Sequence, residues 1–194
     1  MENNIVAAEC ELSKKIEALK NGFYIDNKKP VLFKTASKSQ CASTICSEIG
    51  IATLLLHSIF IIPNTNRLFF DYTIFKSYAN PENYSFIVDF ISDNIKTCIT
   101  TYGSYEVHVN LDTFSVSACQ RYKEVIQLFC NRCISNNSGY SKELTVMYIY
   151  NAPYMFQQIS NMLRPFIDYS VLGKIVLCEK SQSAIAIQRL IKNA

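Results

Sequence analysis

"LTVMYIYNAPYMF", residues 144–156, is the most informative stretch of the sequence, because in it a strand ends and a proline follows three residues later. The first seven residues form a nearly continuous apolar run, which is typical of a strand buried on both faces. Pro153 lacks the amide donor that a strand needs, and its fixed φ suits the start of a helix. Pro165 cannot continue that helix. The sequence therefore predicts a strand followed by one short, hinged segment between two prolines.

On both sides of this segment, strand patterns alternate with helix patterns. Residues 105–111 alternate apolar and polar side chains, Ser115 suits the start of a helix, and residues 174–178 form another apolar run. A last helix is predicted at about residues 181–192. Strands that alternate with helices are joined by crossovers and lie parallel. The predicted fold class is therefore α/β, with a mainly parallel β-sheet flanked by helices.

The N-terminal part of the chain has three further patterns. Apolar residues at helical spacing predict an amphipathic helix over residues 5–20, with Gly22 as its stop signal. Residues 31–33 fit a short strand, because turn-forming residues precede them. An apolar helix is predicted over about residues 41–60.

Residues 67–75 fit either a strand or a surface loop. After them, Asn80 can cap a helix and Pro81 suits its first position. That helix has one apolar face, which we expect to pack on the sheet. The face consists of Phe86, Ile87, Phe90, Ile91, Ile95, Cys98 and Ile99.

Length and composition indicate one folded domain. Of the 194 residues, 49% are hydrophobic and 18% are charged, a balance that argues against disorder. We assign residues 1–25 to an N-terminal helix and residues 26–194 to a single compact domain. The most hydrophobic run, residues 49–63, is shorter than the roughly 20 residues of a membrane-spanning helix. A buried helix is therefore the better interpretation of that run.

The charges and the cysteines restrict the classes of partner. The net charge of +3 is spread over single residues, without the basic stripe that nucleic-acid-binding proteins use, so we expect no nucleic-acid binding. Eight cysteines without a secretory signal indicate reduced, buried thiols in a cytoplasmic protein. Cys130 and Cys133 form the only Cys-x-x-Cys pair, and no second pair completes a zinc site.

Sequence motifs of enzymes are also missing. The five glycines are dispersed, so neither the dinucleotide fingerprint nor the phosphate-binding loop is present. His57 and His108 are the only histidines. His57 lies in the most apolar helix and His108 alternates with valines on a strand, so structural roles fit both better than catalysis. We expect no enzymatic activity, no cofactor and no metal.

The residues around the two prolines resemble the CRAL-TRIO lipid-binding family, which includes phosphatidylinositol and tocopherol transfer proteins. That family combines a strand, Asn-x-Pro with a following Phe, Lys-Pro-Phe-Leu-Asp, and a Lys-Ile that begins the next strand. The matching positions here are Asn151, Pro153, Phe156, Pro165, Phe166, Asp168, Lys174 and Ile175. Residues 109–117 are similar to the family's strand that ends in an aspartate, and residues 139–144 to its Tyr-Pro-Glu-Arg-Leu.

The resemblance implies a non-enzymatic module that holds a lipid or other lipophilic molecule in an apolar pocket under a mobile gate helix. On that analogy the gate covers about residues 154–163, and its apolar residues face the pocket or a membrane surface. Lys174 is the candidate for the lipid headgroup. The apolar gate and pocket residues are Tyr154, Met155, Phe156, Ile159, Met162, Leu163 and Phe166.

The sequence leaves a second interpretation open. Lys142 stands where phosphatidylinositol-binding members carry a glutamate, which argues against specific recognition of inositol lipids. The alternative to a lipid-binding module is a degenerate copy of the fold that serves as a structural or adaptor subunit of a larger assembly, including a virion. The expected partners are a lipid, a transiently contacted membrane surface, or other proteins of such an assembly. The expected location is the cytoplasm, a membrane periphery or a virion.

Overall fold

The computed structural model describes residues 2–27, 34–134 and 139–192. In chain order the helices are α1 (Glu2–Asp26), α2 (Lys34–Ile49), α3 (Ile51–Ser58), α4 (Tyr72–Tyr78), α5 (Tyr84–Tyr102), α6 (Val116–Arg121), α7 (Lys123–Phe129), α8 (Phe156–Leu163), α9 (Tyr169–Leu172) and α10 (Lys180–Lys192). The strands are β1 (Ile59–Ile61), β2 (Arg67–Asp71), β3 (Tyr105–Asn110), β4 (Leu144–Tyr150) and β5 (Ile175–Leu177). A π-helical turn, Cys130–Ile134, extends α7, and a 3-10 turn, Arg164–Phe166, follows α8.

The five strands form one sheet in the order β1-β2-β3-β4-β5. β1 is antiparallel to β2, and the other neighbours are parallel. The predicted α/β class with a mainly parallel sheet is therefore confirmed. β4 has the predicted bounds, because its apolar run ends abruptly at a turn signal. β3, β5 and α10 each begin or end within one residue of their predicted limits.

The two faces of the sheet differ in chemistry. Leu68, Val107, Met147 and Ile149 point to one side, which we call the core face, and belong to the main hydrophobic cluster together with residues of α5. The opposite side, which we call the polar face, carries the alternate residues of the same strands. These are Arg67, Phe69, Glu106, His108, Tyr148 and Tyr150. Helix α10 lies over part of this polar face.

The N-terminal helix is longer than predicted. α1 continues through Gly22 to Asp26, so the predicted stop at Gly22 is wrong. Phe23 and Tyr24 pack against the hydrophobic core, and this burial outweighs the roughly 1 kcal/mol by which a glycine weakens a helix. The strand predicted at residues 31–33 lies outside the described residues.

The single helix predicted at residues 41–60 is also wrong. α2 ends before Gly50, which has φ of 90°, and α3 continues at an angle of 100° to it. The last predicted residues form β1, whose Ile59 pairs with Phe70. Among the described helices, none taken alone is both long and apolar enough to cross a membrane, whereas the bent pair 36–49 and 51–58 passes on length and composition together.

In the middle of the chain, residues 67–75 form parts of two elements, and the helix that follows them begins later than predicted. Residues 67–75 contain β2 and the beginning of α4, which Asp71 caps by accepting a hydrogen bond of 2.7 Å from the Thr73 amide. α5 begins after Asn83 rather than at Pro81, because Asn80 closes a tight turn on the Glu82 amide instead. Phe86, predicted on the buried face, is exposed. The other members of that face lie buried or half-buried, as predicted.

Candidate functional site

The segment between β4 and β5 begins with a pinned turn. Asn151 adopts a left-handed φ of 53°, a conformation that asparagine tolerates better than most residues. Its amide donates to Ser183 Oγ of α10 at 2.9 Å, and its side-chain amide donates to Asn110 Oδ1 of β3 at 2.9 Å. These bonds hold the end of β4 to two neighbouring elements, so the segment that follows starts from a fixed point.

Helix α8 lies directly after this turn, and one side of it faces inward. Ile159 has only 2% of its surface exposed, and Phe156 packs against the main hydrophobic cluster. Leu163 is half-buried, and Phe166 of the following turn also contacts the cluster. α8 packs on α6. Four of the seven predicted gate residues therefore point toward the core.

The other three predicted gate residues face outward. Tyr154 is fully exposed, and Met155 and Met162 are 39% and 38% exposed. Tyr169, at the start of α9, is exposed as well. Exposed apolar side chains thus lie before α8, on it and after it. We call Tyr154, Met155, Met162 and Tyr169 the outer apolar patch.

The far end of α8 is defined by Pro165 inside the 3-10 turn. The chain then reaches Asp168, whose amide donates to the Ile134 carbonyl at 3.4 Å and whose carboxylate caps α9 through the Ser170 amide at 2.9 Å. A polar anchor therefore follows α8, as the Asn151 turn precedes it.

Lys174, the predicted headgroup residue, lies immediately before β5. Its ammonium donates to the carbonyls of Ser141 at 2.9 Å and Lys142 at 3.3 Å. The described residues provide no carboxylate partner for it. Lys174 therefore holds the loop before β4 in place and keeps an uncompensated positive charge.

Cys130 and Cys133 are buried in the hydrophobic cluster. Burial raises the pKa of both thiols to about 12, which keeps them protonated and poorly nucleophilic near neutral pH. Within the described part of the chain, no group of three or more His, Cys, Asp or Glu residues could hold a metal ion.

Two open grooves lie away from α8. The first, of about 450 Å³, lies between α2, α3 and the start of α5, and Cys46, Asn83 and Phe86 are among its lining residues. The second, of about 280 Å³, lies between the polar face and α10. No residue of α8 lines either groove.

His108 is the centre of a hydrogen-bond network beside the second groove. Its Nε2 lies 3.3 Å from Glu106 Oε2, and its Nδ1 lies 2.9 Å from the Tyr150 hydroxyl. Because a carboxylate only accepts, Nε2 carries the proton and the Tyr150 hydroxyl donates to Nδ1. Arg67 Nε donates to the same Glu106 oxygen at 3.0 Å. Burial lowers the pKa of His108, partly offset by Glu106, which favours the neutral imidazole.

The sequence pattern predicts a structural role for His108 but does not reveal this network. The residues alternate along separate strands, so that they share one face only once the register pairs Glu106 with Arg67 and His108 with Tyr148. A period-2 pattern along each strand was the available signal, but it does not give the register between strands.

The fold and the segment between β4 and β5 define an α/β domain in which a short amphipathic helix covers part of an apolar core. The chain belongs to the CRAL/TRIO domain family, whose model matches residues 82–193, more than half of the chain. The match runs from the turn before α5 through α10. No curated protein matches the chain. Members of this family are in general non-enzymatic proteins that bind lipids or other hydrophobic ligands, and this chain has the family's lipid-binding domain.

Proposed function

We propose that this protein binds one lipid or lipophilic molecule in an apolar pocket beneath α8, which acts as the gate. The observation that carries the proposal is the burial of Ile159, which is 2% exposed, together with the packing of Phe156 against the main hydrophobic cluster, both on a short, separately anchored helix. A ligand that entered here would replace these two side chains among the apolar residues of the core face. The contacts of Ile159 and Phe156 are then those of a closed gate.

The bounds of α8 suit such a movement. The helix has eight residues and lies between the Asn151 turn and the 3-10 turn at Pro165. Backbone changes at these two points would let α8 move as a unit without disturbing β4 or β5, which is how hinged segments open. Methionine and aromatic side chains adapt to varied apolar ligands. Phe156, on the inner side of α8, would supply that adaptability.

The test is mass spectrometry of lipids that co-purify with the full chain. We expect a stoichiometric lipid in the wild-type protein and its loss in Phe156→Asp, because a carboxylate in the pocket would be buried without a partner. Gln158→Asp is the matched control, since it places the same charge at an exposed position of the same helix, outside the gate residues and the outer apolar patch. A folded wild-type protein without bound lipid, and without binding to vesicles, would refute the proposal.

We further propose that the outer apolar patch docks transiently on a membrane when α8 opens, which would give the protein a cytoplasmic and peripheral membrane location. Four exposed apolar side chains lie within one segment of the chain, residues 154–169. Exposed apolar residues scattered singly need no explanation, whereas a group of them marks an interaction surface. Replacement of Tyr154, Met155 and Met162 by glutamine should reduce sedimentation with vesicles but leave the unfolding midpoint unchanged. Equal sedimentation of the variant and the wild-type protein would contradict this role.

The alternative function, a structural or adaptor subunit, is favoured by a different observation. Val176 and Leu177 of the edge strand β5 are 42% and 50% exposed, and the edges of a sheet readily pair with another chain. Under this alternative the core beneath α8 stays filled, and β5 contacts a neighbouring subunit in the assembly. Val176→Lys would then abolish a stable complex in size-exclusion chromatography. A monomer with bound lipid would exclude this alternative.

A further inference from the structure

The second groove has an unusual chemistry for a surface between a sheet and a helix. Strands of a parallel sheet are ordinarily apolar on both faces, because helices cover both. Here β3 places Glu106 and His108 toward α10, and β4 places Tyr148 and Tyr150 beside them. Polar groups at such a position lower the stability of the fold unless they have partners. Their presence calls for a role beyond packing.

The aromatic part of the groove is ordered by stacking. The rings of His108 and Tyr148 are 5.0 Å apart and inclined by 21°, and those of His108 and Tyr150 are 5.9 Å apart and inclined by 12°. His108 is 3% exposed and bonded at both ring nitrogens. The floor of the groove is therefore held rigidly before any ligand arrives.

The groove also has more donors than its own acceptors use. In the residues that the structure describes, the Tyr148 hydroxyl makes no hydrogen bond, Arg189 of α10 makes no ion pair or side-chain hydrogen bond, and Arg67 uses only its Nε. Arg67 and Arg189 oppose the single carboxylate of Glu106 in the lining. Because Glu106 accepts from both Arg67 and His108, it orients the groove and leaves the excess charge positive.

These features select a class of ligand. Guanidinium groups bind phosphate and carboxylate through paired hydrogen bonds. Two guanidinium groups and a hydroxyl exceed the needs of one carboxylate, whereas a phosphate monoester has three acceptor oxygens and a charge of about −1.5 to −2. A volume of about 280 Å³ suits a small group, since pockets for drug-sized ligands begin at about 300 Å³.

We propose that the groove between the polar face and α10 is a second binding site, for a phosphate monoester held by Arg67, Arg189 and Tyr148. The site is separate from the proposed lipid pocket, since it lies on the opposite face of the sheet and shares no lining residue with α8. The phosphate belongs either to a free metabolite or to the headgroup of a membrane lipid, and the same three side chains recognise it in both cases.

The test uses calorimetric titration of the full chain with phenyl phosphate, and sedimentation with phosphatidylcholine vesicles that contain phosphatidic acid. Arg189→Ala should weaken binding about tenfold or more, the usual effect of losing a hydrogen bond between charged groups. Lys180→Ala removes one positive charge from the same helix outside the groove and is the matched control. Tyr148→Phe should weaken binding less, because it removes a neutral donor.

Binding of phenyl phosphate that depends on Arg189 supports a free phosphate ester as the ligand. Binding only to the phosphatidic acid vesicles, with the same dependence, supports a lipid headgroup. NMR gives an independent check, because the chain has only two histidines. Addition of phenyl phosphate should shift the ring resonances of His108, beside the groove, and leave those of His57 on α3 unchanged. Absence of binding in both assays, equal loss in Lys180→Ala, or benzoate binding as tightly as phenyl phosphate would overturn the proposal.

Discussion

Lys174 is bonded to Ser141, its ammonium donating to the Ser141 carbonyl at 2.9 Å. This bond joins the start of β5 to the loop before β4, and the Lys174 carbonyl in turn accepts from the Met147 amide at 2.8 Å. The residue that the family resemblance suggests for a lipid headgroup therefore has a structural function. Its charge is not neutralised by that function, so a headgroup role is compatible with it.

The first prediction concerns this double role. Lys174→Met should lower the free energy of unfolding by about 1–2 kcal/mol, because two carbonyls lose a charged donor at a partly exposed position. Lys142→Met should have almost no effect on stability, since its side chain is exposed and only its carbonyl contacts Lys174. Urea denaturation measures both. If the two variants were equally stable, the Lys174 bonds would not hold the loop.

The second prediction concerns the closed position of α8. Ile159→Ala should lower the free energy of unfolding by about 2–4 kcal/mol if α8 is packed on the core, because the substitution removes a buried branched side chain. Met162→Ala, on the outer side of the same helix, should change it by less than about 0.5 kcal/mol. Urea denaturation measures both variants, and their midpoints are compared provided that the slope of unfolding free energy against urea concentration stays the same. A small effect of Ile159→Ala would indicate that α8 is mostly open in solution.

The strongest sequence signals predicted the elements around the candidate site. β4 was predictable because a nearly continuous apolar run of seven residues ends at Asn151 and Pro153. The predicted limits of α8 agree less closely with the structure, since the helix begins three residues after Pro153. Inward and outward members of the predicted gate could not be separated, because Met162 has the same helical spacing as Phe156 and Ile159, and Tyr154 and Met155 precede the helix. Only the contact with α6 fixes which side is buried.

The wrong prediction of one helix over residues 41–60 has a physical reason. Residues 49–63 are mostly apolar, so that periodicity does not distinguish a buried helix from a helix followed by a strand. Strand pairing decides between these two structures, since β1 pairs with β2 at the edge of the sheet. The groove on the polar face was missed for a related reason, because its residues come together only through the register of three strands.

The third prediction is a dependence of stability on pH. Burial lowers the pKa of His108, so the folded protein binds fewer protons there than the unfolded chain, whose histidine pKa is about 6.5. Stability from this source is complete above about pH 6.5 and decreases as the pH falls from there toward the lower folded pKa. His108→Gln should flatten this part of the curve of unfolding free energy against pH.

His57→Gln is the control for that experiment, because His57 lies at the end of α3 with Nδ1 2.8 Å from the Thr53 carbonyl and belongs to a different environment. It should keep the wild-type slope below about pH 6.5. The groups that face His108 are Glu106, Tyr148 and Tyr150 from the sheet, with Arg67 adjacent to Glu106. An unchanged slope in His108→Gln would show that another group produces the pH dependence.

The fourth prediction tests the corner that the sequence did not reveal. Gly50 separates α2 from α3 with a φ of 90°, and a Cβ built at this position meets no atom within 4 Å. The cost of Gly50→Ala is therefore backbone strain alone, about 1–3 kcal/mol. Gly22→Ala is the matched control and should be neutral or stabilising by up to about 1 kcal/mol, because Gly22 lies within α1 and also has open space around it. Thermal unfolding of both variants measures the difference. If Gly50→Ala were as stable as Gly22→Ala, α2 and α3 would form one continuous helix in solution, and β1 would lose its place at the edge of the sheet.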